Sequence, residues 1–128
     1  MNATHPKLIF VYGTLKRGGL NHAVLAGQTY AGEARLTPGF VMYSLGEYPG
    51  LVAEPGSANR VTGEIWSVDA DALLRLDALE GVEEGLYARV PAPLEACAGL
   101  PQTPRVEMYL YLRDVTGRPR LGETWPTG

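Results

Sequence analysis

Cysteine is nearly absent from this chain of 128 residues: Cys97 stands alone. No disulfide can therefore close within the chain, and a reducing compartment suits it. Cys97 lies in a Pro/Ala-rich stretch with no base nearby in sequence, which gives no ground for reading it as a nucleophile. Histidine is as scarce. His5 and His22 sit in no ligand-spaced cluster, so the sequence carries no metal-binding pattern and each reads as a structural or solvent-exposed side chain. Basic runs are missing too: none exceeds Lys16-Arg17, and 11 basic against 14 acidic residues leave a net charge of −3. That balance argues against a nucleic-acid partner. The longest apolar run of the N-terminus, Leu8 to Tyr12, is too short for a membrane span or a secretory signal. A cytoplasmic protein with no membrane partner is the expectation, and no feature assigns an oligomeric state.

Glycine and proline, by contrast, are plentiful and dispersed, 16 and 10 of them. They chop the chain into short segments, as in a sheet-rich domain with many turns. The length suits one domain over 1–128. Its core spans about residues 7–112, with a surface tail after 114. Lys7 to Tyr12 reads as a buried strand and Gln28 to Leu36 as a weaker one. Phe40 to Leu45 and Leu51 to Glu54 flank a turn at Gly46-Glu47-Tyr48-Pro49-Gly50. Arg60 to Val68 is rich in β-formers, with Gly63 marking either a bulge or a close approach. Tyr87 to Val90 and Arg105 to Leu112 complete the strands. In the last, Val106, Met108, Leu110 and Leu112 alternate with Glu107, Tyr109, Tyr111 and Arg113. Helices are expected at Asn21 to Ala26, with Asn21 as N-cap, and at Ala70 to Leu79, between an Asp69 N-cap and a Gly81 stop.

Two segments carry the candidate chemistry. Tyr12-Gly13-Thr14-Leu15-Lys16-Arg17-Gly18 follows the apolar run Leu8-Ile9-Phe10-Val11. A strand that runs into such a loop can aim several backbone N–H groups at one carboxylate or oxyanion. A plain strand-to-helix connection needs glycines as well. Gly13 and Gly18 also have the spacing of a nucleotide-binding P-loop, but Gly19-Leu20 stands where Lys-Ser/Thr should follow, which argues against it. The second segment is Leu76-Asp77-Ala78-Leu79-Glu80-Gly81. On a helical period Glu80 shares a face with Leu73 and Leu76, while Asp77 and Arg75 turn toward solvent. A carboxyl at the inner edge of an apolar stripe, near a helix C-terminus, has its pKa raised toward neutrality. The competing reading is a last-turn residue that frays outward. Tyr12, Tyr43, Tyr48, Trp66, Tyr87, Tyr109 and Tyr111 read as core or pocket packing. Lys16-Arg17 is a solvated pair or a steering element for anions, and Arg89 an exposed strand residue or a carboxylate partner.

Taken in order, these motifs resemble the γ-glutamylcyclotransferase-like superfamily, best its γ-glutamylamine cyclotransferase branch. The resemblance rests on Val11-Tyr12-Gly13-Thr14-Leu15-Lys16-Arg17-Gly18 with Asn21-His22, on Gly63-Glu64-Ile65-Trp66, on Leu76-Asp77-x-x-Glu80-Gly81 with Tyr87-x-Arg89, and on Tyr109-Leu110-Tyr111. It covers roughly residues 7–112. The resemblance implies an α+β fold, a small mixed β-barrel with flanking helices and a pocket at one end. It implies that the backbone of Tyr12, Gly13, Thr14 and Leu15 binds a γ-glutamyl group, that Glu80 is the catalytic carboxylate, and that Tyr87, Tyr109 and Arg89 contribute to the pocket. The expected activity is release of 5-oxoproline and a free amine from a γ-glutamyl amine, with no cofactor and no metal. The alternative is a non-catalytic protein of the same fold that binds γ-glutamyl compounds or 5-oxoproline.

Overall fold

The computed structural model describes residues 7–95 and 106–125. Cys97 and His5 lie outside the described residues. Seven strands and one α-helix follow in the order β1 (Lys7–Val11), β2 (Thr29–Arg35), β3 (Phe40–Ser44), β4 (Pro49–Ala53), β5 (Thr62–Val68), α1 (Ala70–Leu79), β6 (Tyr87–Pro91) and β7 (Val106–Tyr111). Five strands form a mixed sheet in the order β2-β5-β1-β7-β6, and β3 and β4 make a separate hairpin. Only β1 and β7 run parallel; the other pairings are antiparallel.

β1 is central and covered on both faces. Ile9 and Val11 enter a core with Trp66, Leu76, Tyr87 and Tyr109 beneath α1. Phe10 and Tyr12 enter a second core with Met42, Leu51, Ile65 and Met108 under the hairpin. A strand buried on both sides reads as an unbroken apolar run, as Leu8 to Tyr12 does. β7 keeps its period of two, but neither face is left to water: Tyr109 is only 2% exposed. Leu112 lies beyond the strand and is exposed.

Among the described residues the expected barrel is not closed. β2 and β6 remain the edges of the five-stranded sheet, and their extensions meet at a single bridge between Leu36 and Leu94. The hairpin, which has no ladder with the five-stranded sheet among the described residues, sits over one face instead of continuing it. Its turn is also shorter than expected. Leu45 N–H donates to Tyr48 C=O at 2.9 Å, and Pro49 and Gly50 belong to β4. Proline is tolerated there because the hairpin does not need its missing N–H in a central ladder.

The expected helix at Asn21 to Ala26 is a 3₁₀ turn over His22–Leu25, and the Asn21 side chain caps nothing. Such short segments rarely sustain an α-helix. The tail after Asp114 lies on the surface but is tied down along β3. Ser44 N–H donates to Pro119 C=O and Leu121 N–H to Met42 C=O, each at 2.9 Å.

Gly63 marks a close approach; the bulge lies opposite, between Tyr30 and Gly32 of β2. A Cβ at 63 would collide with the Val11 carbonyl and come within 2.8 Å of the Phe10 ring. Gly63→Ala is expected to cost about 1–3 kcal/mol in urea unfolding. Gly122→Ala, where nothing lies within 4 Å of the added carbon, is expected to stay within about 0.5 kcal/mol of wild type.

Candidate active site

The loop after β1 is a tight, self-packed turn. Lys16 N–H donates to Gly13 C=O at 3.1 Å, Gly19 N–H to Lys16 C=O at 2.8 Å, and Asn21 N–H to Thr14 C=O at 2.9 Å. The Asn21 side chain adds a bond from Nδ2 to Thr14 Oγ1 at 3.0 Å. His22 Nδ1 lies 2.9 Å from Leu15 C=O; a carbonyl can only accept, so Nδ1 carries the proton. Among the described residues, nothing accepts from the backbone N–H groups of Gly13, Thr14 and Leu15. Three adjacent donors are therefore held in place and left unspent. Gly13 is glycine because the hairpin presses on it: a Cβ there would lie 2.7 Å from Pro49 Cγ.

Glu80 comes from the C-terminal end of α1. Asp69 starts α1 by accepting Ala72 N–H at 2.8 Å. The helix ends in a Schellman motif, with Gly81 N–H donating to Ala78 C=O at 3.2 Å and Val82 N–H to Asp77 C=O at 3.1 Å. Gly81 takes the left-handed conformation (φ 62°) that this ending requires. Glu80 is the C-cap, so its backbone is fixed rather than frayed. Its carboxyl pKa is raised to about 7 by burial, and the negative end of α1 works in the same direction. Among the described residues no cation or donor compensates it.

Loop and carboxyl line one cavity of about 220 Å³, which Asn21, Tyr48, Pro49, Leu86, Tyr87 and Tyr109 complete. The tyrosine hydroxyls are spent on protein acceptors: Tyr12 on Tyr109 C=O at 2.5 Å, Tyr87 on Pro49 C=O at 2.8 Å, and Tyr109 on Asp77 Oδ1 at 2.7 Å. Burial raises the pKa of all three, so they stay protonated.

Tyr12, Gly13, Thr14, Leu15, Glu80, Tyr87 and Tyr109 are thus brought together, whereas Arg89 is not among the lining residues. Arg89 Nη1 donates to Glu107 at 2.8 Å, and its Nε lies 3.2 Å from Asp77 Oδ1. Asp77 does not turn to solvent as helical spacing suggests; it faces the sheet, between Tyr109 and Arg89. Sequence reasoning also missed Asn21 as a wall residue and Pro49 as the contact that closes on Gly13. The Asn21-His22 pair was visible in the loop motif, but nothing in the sequence foretold Pro49. Among the described residues no group of three or more His, Cys, Asp or Glu is placed to hold a metal ion. No helix of the described residues is long and apolar enough to cross a membrane.

A carboxyl with a folded pKa near 7 has a thermodynamic signature. Between the ordinary glutamate value of 4.5 and about 7 the folded state binds the extra proton. Stability falls as pH rises through that window, by an amount of order 3 kcal/mol for a fully expressed shift. Urea midpoints of Glu80→Gln at pH 5 and pH 8 should lack this part of the wild-type decline. The variant should therefore gain stability relative to wild type at pH 8. An equal pH dependence of the two proteins would show that Glu80 titrates normally.

Comparison with known proteins identifies the family. The family model described as gamma-glutamyl cyclotransferase, AIG2-like, matches residues 9–127. The gamma-glutamylcyclotransferase family protein ytfP of Citrobacter rodentium is 38% identical over 111 residues, covering 85% of each chain. Gamma-glutamylaminecyclotransferase of Rattus norvegicus is 42% identical over 80 residues, 57% of this chain and 54% of the rat protein. The chain thus spans about half the length of the rat relative, and 51% of a matched Arabidopsis thaliana protein. The crystal structure of an AIG2-like protein from Mus musculus superposes with a TM-score of 0.73 at 31% identity, over 84% of this chain and 78% of that one. By its sequence and by its mixed sheet with one flanking helix, this chain belongs to the gamma-glutamyl cyclotransferase, AIG2-like family.

Proposed function

We propose that this protein is a γ-glutamyl-amine cyclotransferase that releases 5-oxoproline and a free amine. The observation that carries the reading is the meeting of an uncompensated carboxyl, raised to about 7, with the unspent N–H groups of Gly13, Thr14 and Leu15 in one cavity. The names of the rat and mouse relatives, both gamma-glutamylaminecyclotransferases, point the same way. The cytoplasm is the compartment we assign, on the scarcity of cysteine.

The substrate supplies its own nucleophile. Its α-amino nitrogen attacks the γ-carbonyl carbon and closes a five-membered ring, so the protein's main task is to hold a flexible chain in an attack conformer. Glu80 takes a proton from the attacking nitrogen and returns one to the leaving nitrogen as the C–N bond breaks. Atoms and electrons balance with no co-reactant. The loop N–H groups supply the donors that a substrate carboxylate or a tetrahedral oxyanion requires. Tyr12, Tyr87 and Tyr109 keep their protons and leave oxygen lone pairs that can accept from an ammonium group. Arg89 acts at a distance, by holding Asp77 beside Tyr109.

The test is 5-oxoproline release from a panel of γ-glutamyl amines, with wild type beside Glu80→Gln. Turnover by wild type should fall at least about 100-fold in the variant. The wild-type kcat/KM should rise with pH through an apparent pKa near 7, as Glu80 becomes able to take a proton. No release from any panel member, with 5-oxoproline still bound, would favour a binding protein instead.

A further inference from the structure

One buried ionisable group has no part in this chemistry. Glu64 of β5 is 7% exposed and does not line the cavity. It shares a strand face with Trp66 and Val68, two members of the core beneath α1. Three donors converge on it: Arg17 backbone N–H at 3.0 Å and Trp66 Nε1 at 3.1 Å on Oε1, and Arg17 Nε at 3.2 Å on Oε2. Burial works to raise its pKa, but these bonds outweigh that and hold it below the ordinary carboxylate value.

Stability is not the whole account of this arrangement, although the three bonds offset the burial of the charge. Placing a carboxylate in a core is costly, and the partner guanidinium is half in water, at 52% exposure, where ion pairs contribute little. What the carboxylate achieves is local: it grips the main chain at Arg17, two residues beyond the unspent N–H of Leu15. The Arg17 guanidinium is further fixed on Tyr30, 4.0 Å from the ring centroid and 3.1 Å from its hydroxyl. Trp66 in turn meets the His22 ring edge-on at 5.2 Å, and His22 holds the Leu15 carbonyl. Both ends of the Glu64 contact therefore lead back to the donor loop. We propose that Glu64 is a positioning residue, which clamps the loop at Arg17 so that the N–H groups of Gly13, Thr14 and Leu15 stay aimed into the cavity. The inference rests on the cyclotransferase reading only for what the loop binds.

Glu64→Met keeps close to the volume but removes the acceptor for all three converging donors. With the fold intact by circular dichroism, KM for a γ-glutamyl amine and Kd for 5-oxoproline should both rise about tenfold or more. ¹⁵N relaxation should show the order parameters of Gly13–Leu15 falling from a rigid value of about 0.85 toward 0.6. A lowered unfolding midpoint with KM, Kd and order parameters unchanged would mean a purely structural role and would overturn the proposal. Should that variant not fold, Arg17→Met replaces it, because its side chain is half exposed; the same loosening, smaller in size, is expected. A KM effect that high salt abolishes, with the loop still rigid, would be charge steering and would also count against positioning. The relaxation measurement needs no substrate. A wild-type protein without turnover would therefore sink the cyclotransferase reading while Glu64 was still decided.

Discussion

Burial of β1 on both faces is the constraint on which the rest of the structure depends. Ile9 and Val11 fill the core beneath α1, Phe10 and Tyr12 fill the one under the hairpin, and the backbone is paired with β5 and β7 on either side. A strand with no free face and no free edge cannot shift its register without emptying both cores. The loop that leaves it at Tyr12 therefore starts from a fixed point. The hairpin then closes on that loop through Pro49, which occupies the space a Gly13 side chain would need.

The acidic groups around the cavity are held in opposite ways. Glu64 has three donors, and Asp77 has Tyr109 and Arg89. Glu80, one turn beyond Asp77, is half buried with no such partner among the described residues, and its pKa is raised. The Schellman ending fixes its backbone, and Glu80 is among the residues that line the cavity. An unpaired carboxyl reduces the stability of the fold, and it is the kind of local inconsistency expected where function is served.

Much of this was legible in the sequence because its signals are local. Asp69 and Gly81 bound α1 as an N-cap and a left-handed stop should, and β1, β5 and β7 follow from runs of β-formers with the right period. Long-range contacts hid the rest. Helical spacing gives Asp77 a polar outward place, but it cannot see Tyr109 and Arg89 waiting on β7 and β6. Pro49-Gly50 carries turn chemistry and yet lies in β4, since the turn closes one step earlier at Tyr48. Asn21 looks like an N-cap, but its amide is drawn to Thr14 by the folded loop. How far the sheet edges approach was equally invisible: among the described residues they meet around the Leu36–Leu94 bridge. Of the expected site residues, Arg89 alone stands back from the cavity wall, because its partners are Asp77 and Glu107.

The central claim is that the free loop N–H groups and Glu80 act on the same small molecule. The most direct measurement is a crystal structure of Glu80→Gln with a γ-glutamyl amine bound, since the variant should bind the amide without consuming it. The account predicts a ligand oxygen on the N–H groups of Gly13, Thr14 and Leu15, with the α-nitrogen within hydrogen-bond reach of the residue-80 side chain. A ligand seated elsewhere, or held by the loop with its α-nitrogen turned away from residue 80, would contradict it.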